Sequence, residues 1–311
     1  MSWDTGKIPP CALDVVLVIL RFEMSEPFSP EQIRALIRLL DDDDANVKDH
    51  VQTQLRTVGP AATPYLEAAS SDDPVPTIRR ASRGLLDRIR SDEIEHQWVT
   101  LQTAPDGNAL EEGAFLLERL IHPDRIAEQQ RARAELELLS VGAREAVHPQ
   151  ADIAVRVDEL RRYIHETSRF RGNTENYYDP ENSFLSQVLS RRTGIPITLA
   201  LVYLSLAHRI GIPLVGVSMP MHFLVGYQLD SAYRYLDPFF DGREVSRGDC
   251  MVLLERAGFD PVDDYLKPAP VVATLERMAK NLIVIYQHTA HERELRLARR
   301  FVTLLTGETE S

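Results

Sequence analysis

The chain has 311 residues, long enough for about two domains, and its 44% apolar and 26% charged content supplies ordinary cores and excludes global disorder. A formal charge of -12 repels phosphate backbones and anionic lipid headgroups, so no nucleic-acid or membrane partner is expected. Only Cys11 and Cys250 are present, far apart and with no CxxC spacing, which excludes a cysteine-rich metal site or a disulfide framework and suits a reducing cytoplasm.

At the N-terminus, Asp4 stands where a secretory leader would be basic, and no leader is expected. The apolar run 15–20 is too short to span a bilayer and reads as a buried element. Ser29-Pro30-Glu31-Gln32 combines an N-cap, a first-turn Pro and a Gln three residues on, which predicts a helix start. Apolar Ile33, Leu36, Ile37 and Leu40 follow at helical spacing. A second helix runs through Val47, Val51 and Leu55 to a stop at Gly59-Pro60, a third covers about 61–70, and a fourth covers about 75–90. A shift of 31 residues superimposes Asp41 on Asp72, Val47 on Ile78, Leu55 on Leu86 and Val58 on Ile89. That periodicity is how a helical solenoid looks in sequence, and two ordinary helical hairpins are the alternative. Arg79, Arg80, Arg83, Arg88 and Arg90 form a basic face, either solvated or available to an acidic partner.

Residues about 91–108 read as a boundary loop. Helices return at about 109–121, 125–140 and 150–168, followed by a polar, turn-rich crossing over 169–180. Asn182-Ser183 opens a helix to about Ser190, with Ser183 as its cap. Pro196 starts an apolar helix that ends at Ile210, before Gly211-Ile212-Pro213. Strands are expected at 214–219, 222–228, 233–237 and 243–245, the middle two as a hairpin. The remainder is helical, at about 247–257, 272–288 and 290–306.

One constellation carries chemistry. A helix is followed by strands that place His222 on one and Asp237 at the end of the next. A papain-like site is built in that order: a Cys at the helix N-terminus, where the dipole lowers its pKa, a His to take its proton, and a carboxylate or amide to hold the imidazole. The same stretch carries Asn176-Tyr177-Tyr178-Asp179-Pro180, Asn182-Ser183-Phe184-Leu185, Arg192-Thr193-Gly194-Ile195-Pro196, Gly211-Ile212-Pro213, His222-Phe223-Leu224-Val225 and Leu236-Asp237-Pro238. On these motifs, residues about 109–245 resemble the transglutaminase-like superfamily, in its bacterial SirB-type branch. The first helices resemble HEAT-like repeats, and the last two resemble a tetratricopeptide-like hairpin.

The resemblance implies an α+β protein: a HEAT-like α-helical region over 1–105, a papain/transglutaminase-like core with a small antiparallel sheet over 106–258, and a C-terminal helical hairpin over 259–311. It also aligns the family's Gly-x-Cys with Gly194-Ile195-Pro196, which leaves Pro196 in the nucleophile position. The implied function is a non-catalytic, cytoplasmic protein-binding scaffold, a pseudoenzyme that needs no cofactor or metal. The alternative is a hydrolase or transferase using His222 and Asp237 without a thiol. Tyr177, Tyr178, Asn182 and Thr198 are candidates to line the cleft; the two tyrosines could equally be a structural turn, and Thr198 a cap.

Overall fold

A computed structural model describes residues 28–102 and 108–307. Cys11 and the apolar run at 15–20 lie outside the described residues. The chain divides into two compact units, one ending at Ile89 and the other beginning at Arg90.

The first unit is helical: α1 (Pro30–Arg38), α2 (Ala45–Val58), α3 (Thr63–Asp72) and the first half of α4 (Pro76–Gln102). The capping box at its start is complete, since Gln32 N–H donates to Ser29 Oγ (3.3 Å) and Ser29 N–H donates to Gln32 Oε1 (2.7 Å). Helix α2 stops where Gly59 turns to φ +62°, a conformation that suits glycine. Helices α2 and α4 begin 31 residues apart, at Ala45 and Pro76, and Val51, Leu55, Leu86 and Ile89 share one core with Ile33, Leu66 and Leu85. Arginines of the basic face are partly used internally. Arg79 donates to Asp73 O, Arg83 to Ser70 O and Arg88 to Gln52 Oε1.

The expected boundary loop after residue 90 is instead helix, because α4 continues to Gln102. Ile94 and Trp98, one turn apart, are buried in the second unit's core, and Leu101 packs against it. Residues 103–107 lie outside the described residues.

The second unit is built around α9 (Pro196–Ile210), which is apolar on nearly every face and correspondingly buried. Around it lie α5 (Ala109–Ile121), α6 (Ile126–Ala146), α7 (Ile153–Arg162), the short α8 (Leu185–Arg191) and the α11–α12 hairpin (Val271–His288 and Glu292–Thr306). At about 1.5–3 kcal/mol for each fully buried large apolar side chain, Leu199, Leu201, Val202 and Leu206 make α9 the energetic centre of this unit. Gly211 ends the helix at φ +71°.

A four-stranded antiparallel sheet packs on α9 in the order β3 (Val215–Val217), β4 (Leu224–Leu229), β5 (Ala232–Asp237) and β6 (Arg243–Val245). A two-residue turn, Asp230-Ser231, joins β4 to β5, and its register pairs Val225 with Leu236. Helix α10 (Arg247–Arg256) covers a separate cluster that buries Cys250 among Val217, Met219 and Leu254. The small parallel pair β1 (Arg171–Gly172) and β2 (Thr193–Gly194) ties the crossing segment to the start of α9. Ser183 does not cap a helix. Asp179 accepts from Glu181 N–H at the start of a short 3-10 turn, and the Ser183 hydroxyl is buried without a partner.

One buried charge site stands out in this core. Glu118 on α5 is fully buried; one carboxyl oxygen accepts from the Ser186 hydroxyl of α8, and the other has no partner. Burial pushes its pKa up to about 7, against 4.5 for a free Glu. Between those values the native state keeps a proton that the unfolded chain releases, so stability falls as pH rises from about 4.5 to about 7. The loss amounts to about 3 kcal/mol once the group is ionised in both states. Glu118→Gln is therefore expected to match the wild type in chemical denaturation at pH 4 and to exceed it at pH 8 by up to that amount.

Candidate functional site

The nucleophile position expected from the sequence falls on the first turn of α9, and a polar network fixes that turn. Thr198 Oγ1 accepts from Ile195 N–H (3.2 Å), donates to the Asn182 carbonyl (2.7 Å) and lies 3.1 Å from Ile195 O. Asn182 is fully buried and clamps the crossing segment. Its Nδ2 donates to Asn176 O (2.8 Å) and Tyr177 O (3.2 Å), and its Oδ1 accepts from Asn173 Nδ2 (2.9 Å). The loop bearing Tyr177 and Tyr178 is thus anchored, through Asn182, to the helix start. Thr198 and Asn182, expected along the cleft, lie beneath it instead, because their polar atoms are spent on backbone and neighbouring amide groups. Gly172 permits the close approach of the next layer: a Cβ there would lie 2.5 Å from the Phe239 carbonyl oxygen.

Asp237 ends β5 and caps the turn that follows. Its Oδ1 accepts from Phe239 N–H (3.1 Å) and Phe240 N–H (3.4 Å). Its Oδ2 lies 2.8 Å from His222 Nε2 and 3.9 Å from an Arg243 nitrogen. The Asp237 side chain is 3% exposed and that of His222 is 17% exposed. The His222–Asp237 contact has hydrogen-bond distance but not hydrogen-bond alignment, since Nε2 meets no acceptor along its N–H direction. It is a close polar contact, and it becomes an ion pair when the imidazole is protonated.

His222 is not on a strand. It follows the turn Met219-Pro220-Met221, closed by His222 N–H to Met219 O at 3.1 Å, and β4 begins two residues later. Met221 occupies φ +62° there. With Pro220 before it this is the geometry of a type II turn, whose third residue is ordinarily Gly or Asn.

His222 and Pro196 line one cleft of about 310 Å³. Tyr177, Tyr178 and Met221 also line it, and so do Arg277, Asn281 and Val284 from α11. No Cys, Ser, Thr, Asp or Glu lines it among the described residues. Cys250 is buried in its own cluster, where burial pushes the thiol up to about 11. Sequence reasoning missed Arg277 and Asn281. Their i, i+4 spacing places them on one helical face, but nothing local shows that this face meets the cleft.

If this turn is a nucleophile position, restoring the thiol restores its activation. A Pro196→Cys variant is expected to be alkylated by iodoacetamide with a midpoint well below the ordinary thiol value of about 8.5, and His222→Ala in that background should move the midpoint up. The unsubstituted protein gives the background from Cys11 and Cys250.

Residues 130–280 match the family model described as the transglutaminase-like superfamily. A UPF0162 protein of Xylella fastidiosa is 38% identical over 167 residues, which covers 50% of this chain and 58% of the relative. A UPF0162 protein of Vibrio cholerae is 36% identical over 143 residues, covering 46% and 52%. Human F-box only protein 21 is 32% identical over 151 residues, covering 46% of this chain and 24% of that protein. The match thus spans little more than half the length of the bacterial relatives. No solved structure matches significantly. Residues 130–280, which hold the α9 start, the His222–Asp237 pair and Arg277, are thus similar to the transglutaminase-like superfamily.

Proposed function

We propose that this protein is a non-catalytic, transglutaminase-like scaffold of the SirB-type branch that holds a protein partner. One observation carries the reading: the position at the start of α9 holds Pro196, and among the described residues no side chain lining the cleft bears a thiol or an aliphatic hydroxyl. The nearest hydroxyl in sequence, on Thr198, is committed to the Asn182 carbonyl and the Ile195 amide. The frame that would orient a catalytic imidazole persists, but the atom it would activate is gone. The helices of the first unit and the α11–α12 hairpin suit the same reading as HEAT-like and tetratricopeptide-like surfaces. None of the described helices is long and apolar enough to cross a membrane, and a cytoplasmic location belongs to the same proposal.

A second reading keeps one specific observation: the His222–Asp237 contact is 2.8 Å long and His222 opens onto the cleft. A water activated by the imidazole would make the protein a hydrolase, and an incoming acceptor group would make it a transferase.

The two readings separate on His222. The scaffold reading expects affinity-purified wild type and His222→Ala to retain the same partners in the same amounts, with neither turning over peptide, amide or ester substrates above buffer. Turnover of any such substrate that disappears in both His222→Ala and Asp237→Asn, with folding intact, would establish the second reading and end the first.

A further inference from the structure

Arg277 is the cleft's unexplained group. It lies on the inner face of α11, and Nη1 donates to Ser218 Oγ (2.9 Å) and to Met219 O (2.6 Å). Its guanidinium carbon lies 5.8 Å from the centre of the Phe223 ring. Among the described residues, Nε and Nη2 make no hydrogen bond and no carboxylate pairs with this side chain. Desolvation lowers the Arg277 pKa, opposed only by Tyr177, as expected of a half-buried cation with no counter-ion. One turn along α11, the Asn281 side chain lines the same cleft and makes no hydrogen bond to any described residue.

The rim is apolar. Met221 is 76% exposed, Tyr178 70% and Val284 48%. Met221 holds φ +62°, a left-handed conformation that strains a non-glycine residue. A large apolar side chain kept exposed at a glycine position, beside an unpaired guanidinium, points to a ligand that uses both.

We infer that this cleft binds the C-terminal carboxylate of a peptide chain ending in an apolar residue, with Arg277 as its receptor. This deepens the scaffold reading by naming the chemistry of the partner. The two free N–H directions of Arg277 form the planar fork that a carboxylate accepts bidentately, while Nη1 holds the guanidinium in place. Asn281 offers an amide to the preceding peptide group. Met221, Tyr178 and Val284 cover the terminal side chain. A volume of about 310 Å³ is at the lower end of ligand-site sizes and takes one or two residues. It suits a chain end better than a segment passing through, and one fork suits one carboxylate.

The test uses the full chain labelled with 13C-methyl methionine, with the Met221 resonance assigned through Met221→Gly. The probes are an acetylated Ala-Ala-Ala-Leu peptide with a free C-terminal carboxylate, its C-terminal amide, and an amidated Ala-Glu-Ala-Leu peptide whose only carboxylate is a side chain. The free acid is expected to shift the Met221 methyl to saturation. The amide and the internal-acid peptide should bind about tenfold more weakly or worse. Arg277→Lys retains a donor for Met219 O but lacks the fork, and should weaken the free acid by a similar factor. Met221→Gly, followed by saturation transfer to the peptide, should also weaken binding while leaving thermal stability equal or higher.

Equal binding of acid and amide, no shift with any probe, or an unchanged affinity in Arg277→Lys would overturn the inference. Tight binding of the internal-acid peptide would overturn the chain-end assignment. None of these results touches the scaffold reading itself, which stands or falls on His222-dependent turnover.

Discussion

The arrangement of this cleft depends on a single hydroxyl. Thr198 Oγ1 joins the first turn of α9 to the Asn182 carbonyl and the Ile195 amide. Asn182 in turn clamps the loop that carries Tyr177 and Tyr178. Both residues are fully buried, where an unmade hydrogen bond costs about 1–3 kcal/mol. The network therefore fixes where the helix begins, and with it where a nucleophile would stand. Pro196 suits such a start: its missing N–H is one that the first helical turn leaves unpaired in any case.

The His222–Asp237 contact belongs to the same logic. Asp237 serves the backbone with one oxygen and His222 with the other. Its capping role alone is reason to keep the carboxylate, so its presence does not require catalysis. His222 faces the cleft from a turn rather than a strand, and the residue before it pays a conformational cost to stay apolar and exposed. The side chains that line the cleft supply an imidazole, a guanidinium, an amide, phenol rings and a thioether, with no thiol or aliphatic hydroxyl among the described lining residues.

Much of this was legible in the sequence where the signals are local. The Ser29 capping box, the limits of α9 between Pro196 and Gly211, and the β4–β5 hairpin each follow from a few adjacent residues. The spacing of His222 and Asp237 brought them together correctly because β4 and β5 are neighbours in sequence. Local reasoning failed where the deciding partner is distant. Helix α4 runs through an expected loop because Ile94 and Trp98 find a core made by later helices. Thr198 and Asn182 looked available because their partners could not be seen. Arg277 was invisible as a site residue, since its role depends on α11 meeting a turn 58 residues earlier in the chain.

The central claim is that the cleft binds without converting. The most direct measurement incubates the full chain with a mixed peptide library of free C-termini and follows both peptides and protein by mass spectrometry. The account predicts that every peptide is recovered intact, that the protein mass is unchanged, and that apolar-ending acids are retained in an Arg277-dependent way. A cleaved, deamidated or protein-linked product whose formation requires His222 would contradict it.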